Sequence, residues 1–330
     1  MCLRLIFICI CLPLGLFAQA KYSFSKDTLL MGSAFAFTAI HESQSKAQAA
    51  VELAIAEVDR IERLISSWKP TSQTSSINQF AGIRAIKVDW ELFQLIERSQ
   101  KIAQLSNGYF DISFASIDVL WQFNGDTVEM PSDEELSASV ALIDFQKIIL
   151  NRSDTTVYLE NEGMKIGFGA IGKGYAADRA KVVMLENGVT SGVVNAGGDV
   201  LAWGYKADGR SWNVGVANPT AKDEVILALP IVNQAIVTSG EYEKYVIVDG
   251  ERYGHIINPK TGIPSKGILS VSVLTSTAEL ADALATTVFV LGEKDGLALI
   301  NHLEGVEGII INQENKVLYS SKLKDWFADE

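Results

Sequence analysis

Apolar residues recur at helical spacing between Lys46 and Ser66, with Val51, Ile55, Val58, Ile61 and Leu64 on one stripe, which predicts an amphipathic core-packing helix. A second helix is expected from Trp90 to Ser106, closed by Asn107-Gly108, and a third from the capping box Ser132-Asp133-Glu134-Glu135 to about Leu142. Period-two and short apolar runs then dominate. They predict strands at Lys147–Leu150 and Thr156–Leu159, at Val193–Trp203 with a bulge or close ligand at Gly197-Gly198, at Trp212–Val216, Glu224–Leu229 and Gln234–Val237, and a half-buried strand at Leu269–Leu274. Asp249-Gly250 sets a two-residue hairpin between Tyr245–Val248 and Arg252–His255. A second capping box, Ser276-Thr277-Ala278-Glu279, opens a helix reaching Gly292, and one more hairpin joins Gly308–Ile311 to Val317–Ser320. Helices come early and strands follow with helices inserted, which reads as α+β with mixed or antiparallel sheets and flanking helices.

Composition narrows the function. The net charge of −12 argues against a nucleic-acid partner, because nothing supplies a basic face for phosphates. Residues 1–20 combine Arg4, an apolar run from Leu5 to Phe17 and Ala18-Gln19-Ala20, which predicts a cleavable export signal ahead of a single domain at 21–330. All three cysteines lie inside that segment, so the remainder is expected to carry no disulfide and no thiolate chemistry, as a soluble exported, periplasmic protein.

Four stretches carry candidate chemistry. Thr238-Ser239-Gly240 and the run His255–Pro264 hold a histidine at a strand end among hydroxyls and turn residues. Asp282 and Thr286 are four apart, hence on one face of an apolar helix. Such a pair suits a hard, oxygen-seeking cation such as Mg²⁺, or else it is a carboxylate favoured by the helix dipole beside a threonine bonded back to its own helix. Lys165–Arg179 runs from a short strand through glycines into a helix, and Lys173 within it makes a phosphate site conceivable although neither standard nucleotide fingerprint is present. Trp68, in the polar loop Ser66–Asn78, is a lid over a flat ligand or a plug over the preceding helix; the acid in the strand-like Tyr109–Phe114 reads as a solvated edge.

Taken in order, these segments resemble the ApbE family of FAD:protein FMN transferases. Met31-Gly32-Ser33 resembles its Met-Gly-Thr opening, Ser67–Asn78 its Ser-x-Tyr…Asn loop, and Tyr109-Phe110-Asp111 its Phe-Asp pair. Phe168–Arg179 is similar to its Leu-Gly-Gly-Ile-Ala-Lys-Gly-Tyr-Ala-x-Asp-Arg segment, and Asn195–Gly198, Thr238–Gly240, His255–Pro264 and Asp282–Thr286 to the remaining signatures. The resemblance implies an ApbE-like, T-fold-related architecture and an enzyme that binds FAD with Mg²⁺ and attaches FMN to a threonine of an exported or membrane redox subunit, releasing AMP. The membrane would be met only through that partner. It implies a metal held by Asp282, Thr286 and the carbonyl of Ala170, an FAD site of Met31, Trp68, Asn78, Tyr109, Phe110, Asp111, Lys173 and Ile257, and His255 as the base. Hydrolysis of FAD to FMN and AMP, and non-catalytic flavin binding, are the alternatives. Four departures stand out: Gly167 where the family usually has Asp, Trp68 for Tyr, Asn258 for Asp, and Phe114–Ile117 in place of Gly-Pro-Leu.

Overall fold

The computed structural model describes residues 21–117, 120–241 and 244–328, so the expected export signal lies outside the described residues. Its frame is an eight-stranded sheet in the order Tyr22–Leu30, Ser33–His41, Ser191–Ala196, Asp199–Trp203, Gln234–Gly240, Ile268–Thr275, Glu307–Asn312, Val317–Tyr319. Every neighbouring pair in it is antiparallel, as the α+β reading expected. The early strands and late strands meet in the middle of the sheet, which brings the Lys165–Arg179 segment and the Asp282 helix onto one face.

Alternation explains the two faces. Ala235 and Val237 enter the main core while Ile236, between them, enters a second cluster on the opposite side, as side chains of a strand must. Helices Gln44–Ile65, Gly172–Glu186, Ala278–Leu291 and Glu293–His302 pack on the first face. The hairpin Trp212–Asn218/Ala221–Ile231 and the terminal helix Ser321–Ala328 cover the second. Ile268–Thr275 is therefore buried nearly throughout rather than on one side as its alternation suggested.

Several local expectations need correction. Gly197-Gly198 makes no bulge; with φ of +70° and +107° the pair is the two-residue turn that joins Ser191–Ala196 to Asp199–Trp203, in register Ala196 to Asp199. Tyr109–Phe114 is not a strand, because Asp111 pulls the backbone of Ser113 back onto its carboxylate and a 3₁₀ turn, Ile112–Ile117, follows. The polar loop after the first helix contains a short helix, Gln73–Gln79, capped by Ser72. Beyond Gly292 the chain adds helices Glu293–His302 and Ser321–Ala328 beside the expected hairpin. The Ser132 capping box and the Asp249-Gly250 turn form as expected, the latter with φ of +51° and +82°. No helix among the described residues is long and apolar enough to cross a membrane.

Candidate active site

His255 follows directly on the hairpin Tyr245–Val248/Glu251–Gly254. The chain then turns sharply: Asn258 Oδ1 accepts from Lys260 N–H at 2.9 Å, and the Asn258 carbonyl accepts from Gly262 N–H at 2.8 Å. Trp121 Nε1–H donates to the Gly262 carbonyl at 2.9 Å and pins the turn from outside. An amide oxygen does here what a carboxylate would, so Asn258 in place of Asp leaves the turn intact. The His255 Nδ1 is buried and finds no hydrogen-bond partner among the described residues, with Phe123 edge-on to the ring at 6.4 Å. Burial pushes the imidazole pKa down to about 4, and the charges of Lys244 and Lys173 push the same way, while a backbone hydrogen bond with Lys244 opposes them. The ring is neutral at physiological pH.

Opposite lies the helix Ala278–Leu291, and its start is not the capping box that its sequence suggests. Thr277, the cap residue, makes no capping bond with its side chain. Asp178 of the neighbouring helix supplies the cap instead, accepting from Ala278 N–H at 3.0 Å and Glu279 N–H at 2.9 Å. Glu279, freed from the box, pairs with Arg98 at 2.6 Å. Burial raises the Asp178 pKa to about 6 despite those bonds.

One turn on, the buried Asp282 accepts from Gly174 N–H at 2.9 Å. A side chain at Gly174 would place its Cβ 2.1 Å from the Ala278 carbonyl oxygen, so only glycine lets the two helices approach this closely. Thr286 Oγ1 lies 3.3 Å from Ser239 Oγ across the helix–sheet boundary, and it is the next residue, Thr287, that bonds back to its own helix, at 2.6 Å from the Ala283 carbonyl. Thr286 is thus turned toward the strand Gln234–Gly240.

The glycine segment closes the site on a third side. Asn78 holds the Ile166 backbone at both ends, at 2.8 Å to its N–H and 2.9 Å to its carbonyl. Gly167 N–H donates to the Ile112 carbonyl at 2.8 Å, and a Cβ at 167 would meet Ala115 Cβ at 3.0 Å. Ala115 belongs to the stretch that departs from Gly-Pro-Leu, so the two departures occupy touching positions. Lys173, the second residue of Gly172–Glu186, pairs with Asp199 at 2.6 Å.

Asp111 is buried, contrary to the solvated-edge reading. It accepts from Ser113 N–H at 2.8 Å, Ser113 Oγ–H at 2.6 Å and Phe145 N–H at 2.8 Å, yet burial still raises its pKa. These bonds fold the Tyr109–Ile117 stretch around it.

Between these walls is a cavity of about 110 Å³ lined by Tyr109, Phe110, Asp111, Ile112, Phe114, Gly169, Ala170, His255, Ile256, Ile257, Pro259, Thr286 and Val290. Seven residues expected from the sequence thus share one space: Tyr109, Phe110, Asp111, Ala170, His255, Ile257 and Thr286. Asp282 sits one helical turn behind Thr286. Met31, Trp68, Asn78 and Lys173 lie outside the wall: Asn78 braces the backbone behind it, Met31 Cε lies 3.6 Å from where a Gly172 Cβ would be, and Trp68 is 81% exposed, neither plug nor closed lid. Val290, unforeseen, follows Thr286 by four residues on the same helical stripe and was readable from that spacing. Phe114, Gly169 and Pro259 lie inside the motif stretches Tyr109–Phe114, Phe168–Arg179 and His255–Pro264 but were not singled out there. The cavity is smaller than the roughly 300–1,000 Å³ of a full small-molecule site.

Residues 31–310 match the profile of the ApbE family. A FAD:protein FMN transferase of Klebsiella pneumoniae is 30% identical over 300 residues, covering 90% of this chain and 92% of the relative. One from Treponema pallidum is 31% identical, covering 85% and 82%. Among solved structures, the ApbE protein of Thermotoga maritima superposes with a TM-score of 0.85 at 30% identity over 92% of this chain and 98% of its own. The flavin transferase ApbE of Vibrio cholerae shares the fold, with a TM-score of 0.83 at 23% identity over 92% and 99%.

Proposed function

The chain belongs to the ApbE family, and we propose that it uses this cavity to move FMN from FAD onto a threonine hydroxyl of an exported or membrane-bound redox protein, releasing AMP. The observation that supports this most is the convergence of His255, Thr286, Ala170 and the Tyr109-Phe110 pair on one cavity from elements spread between residues 109 and 286. A neutral imidazole, an oxygen-donor face and an aromatic wall are the three things such a transfer needs.

The donor set fits a hard cation. Asp282, Thr286 and the Ala170 carbonyl offer oxygen only, and no group of three or more His, Cys, Asp or Glu that could hold a metal occurs among the described residues. A Mg²⁺ ion, which keeps several waters and takes one or two carboxylates plus substrate phosphates, suits so sparse a site. When bound it would supply charge stabilisation to the pyrophosphate.

His255 has the role of taking the acceptor proton. Its buried ring is uncharged at neutral pH, so a nitrogen lone pair is available to an incoming hydroxyl. The hydroxyl oxygen bonds to the FMN phosphorus, the bridging P–O bond breaks, and AMP carries away the electron pair. A bound pyrophosphate brings negative charge next to the ring and raises its basicity toward the range useful at pH 7. Lys173, at the start of its helix, places positive charge near the breaking bond. Tyr109, Phe110 and Ile257 would exclude water on the flavin side, and Trp68 offers an exposed ring face that a flavin could stack on.

Export across the inner membrane is part of the same proposal, since an acceptor threonine on a redox subunit must be reached in the same compartment. Mature protein incubated with FAD, Mg²⁺ and a threonine-bearing acceptor should yield acceptor heavier by one FMN. Appearance of AMP with unlabelled acceptor would instead mark an FAD hydrolase, and unchanged FAD a binding protein.

A further inference from the structure

Asp199 had no place in the expected site, yet it stands behind it. It opens the strand Asp199–Trp203 immediately after the Gly197-Gly198 turn and is 1% exposed. One carboxylate oxygen lies 2.6 Å from Lys173 Nζ. The other accepts from the Thr238 N–H at 3.3 Å, on the adjoining strand. The residue after Thr238 is Ser239, whose hydroxyl contacts Thr286, and the Thr238 hydroxyl itself lies 2.7 Å from Ser272 Oγ. A carboxylate this deeply buried is expensive to desolvate and persists only where it is paired. Its partners here are the ammonium of a lysine whose side chain is only 23% exposed and the backbone of the strand that supports Thr286.

From this geometry we infer that Asp199 is a positioning residue for the transfer, holding the Lys173 ammonium in place for the phosphates of FAD and tying it to the strand that seats Thr286. A lysine stem has four rotatable carbons, and an unheld ammonium would spend most of its time elsewhere. The Gly197-Gly198 turn delivers Asp199 to this position, held by Gly197 N–H on the Ala34 carbonyl at 2.8 Å and Gly198 N–H on Asn195 Oδ1 at 2.7 Å. The ammonium has three donors, so it can contact a phosphate oxygen while keeping Asp199. This inference rests on the assignment of Lys173 to the FAD phosphates made above.

The test compares ADP, which carries the pyrophosphate, with adenosine, which carries none, by calorimetric titration of the full protein with Mg²⁺. D199N and K173M are each expected to weaken ADP on the order of tenfold to a hundredfold, the scale of one hydrogen bond to a charged group, with adenosine affinity unchanged. The double variant D199N/K173M should bind ADP no worse than K173M alone, because a positioning residue has nothing left to position. The double variant also removes the uncompensated buried charge that could unfold either single one, so the comparison survives poor folding of D199N. If K173M weakens ADP while D199N lowers only thermal stability, or if the two losses add, Asp199 is a structural pair and the inference falls alone. If K173M binds ADP as the wild type does, the inference and the phosphate role of Lys173 fall together.

Discussion

The two sides of the cavity are built differently. On the Asp282 side, two helices are locked through close contact: Gly174 admits no side chain, Asp178 caps the partner helix, and Gly174 N–H holds Asp282. On the His255 side, a hairpin, a 3₁₀ turn and a polar loop carry the functional groups, with the His255 Nδ1 unbonded among the described residues and Trp68 standing in solvent. The lesson is a division of labour. The side proposed to stabilise charge is preorganised by packing, and the side proposed to receive the flavin and its acceptor is made of elements that can adjust.

The largest effect should come from the adjustable side. His255→Ala is expected to lower kcat roughly 10²–10⁴-fold with FAD affinity nearly unchanged, measured by steady-state kinetics and flavin fluorescence titration. The pH profile sharpens this. A base must be unprotonated, so kcat/KM, which reports the free enzyme, should fall only as pH drops toward about 4, whereas the limb in kcat should lie higher because bound pyrophosphate raises the pKa. Coincident limbs would contradict that reading.

The packed side should break through stability first. Gly174→Ala forces a methyl against a carbonyl oxygen 2.1 Å away and should destabilise by about 3 kcal/mol, the upper end for overpacking, seen as a lowered denaturant midpoint. Asp178→Ala removes a cap and should cost about 0.5–2 kcal/mol. Asp178 also predicts a sign. Its folded pKa, about 6, lies above the ordinary carboxylate value, so the stability it contributes is complete below that ordinary value and declines as pH rises through 6. The advantage of wild type over Asp178→Asn should therefore shrink between pH 4 and pH 7 in paired unfolding curves.

Trp68→Ala should be the mildest. At 81% exposure its loss should leave stability within about 0.5 kcal/mol, yet weaken FAD by about threefold to tenfold if the ring stacks on the ligand. A stability loss larger than the affinity loss would make Trp68 part of the frame rather than of the FAD site.

Legibility in the sequence followed the same division. Periodicity and turn chemistry located the helices, the Asp249-Gly250 hairpin and the Ser132 box, because those depend on neighbours a few residues apart. The order of motifs led to the family. What stayed hidden depends on distant partners. Ser276–Glu279 has a capping-box sequence, but Asp178 outcompetes it from another helix. Asp111 looks solvated until Ser113 and Phe145 close over it, and Asp199 is ordinary until Lys173 arrives from 26 residues upstream. Gly197-Gly198 reads as a bulge or a close ligand in one strand, and only the pairing of Ala196 with Asp199 shows it to be a turn between two.

The most direct test is the intact mass of an acceptor domain after incubation with this protein, FAD and Mg²⁺. The account predicts a gain of one FMN, located on a threonine, that disappears with His255→Ala while FAD still binds. An acceptor that stays unlabelled as FAD is consumed, or one labelled equally well by His255→Ala, would contradict it.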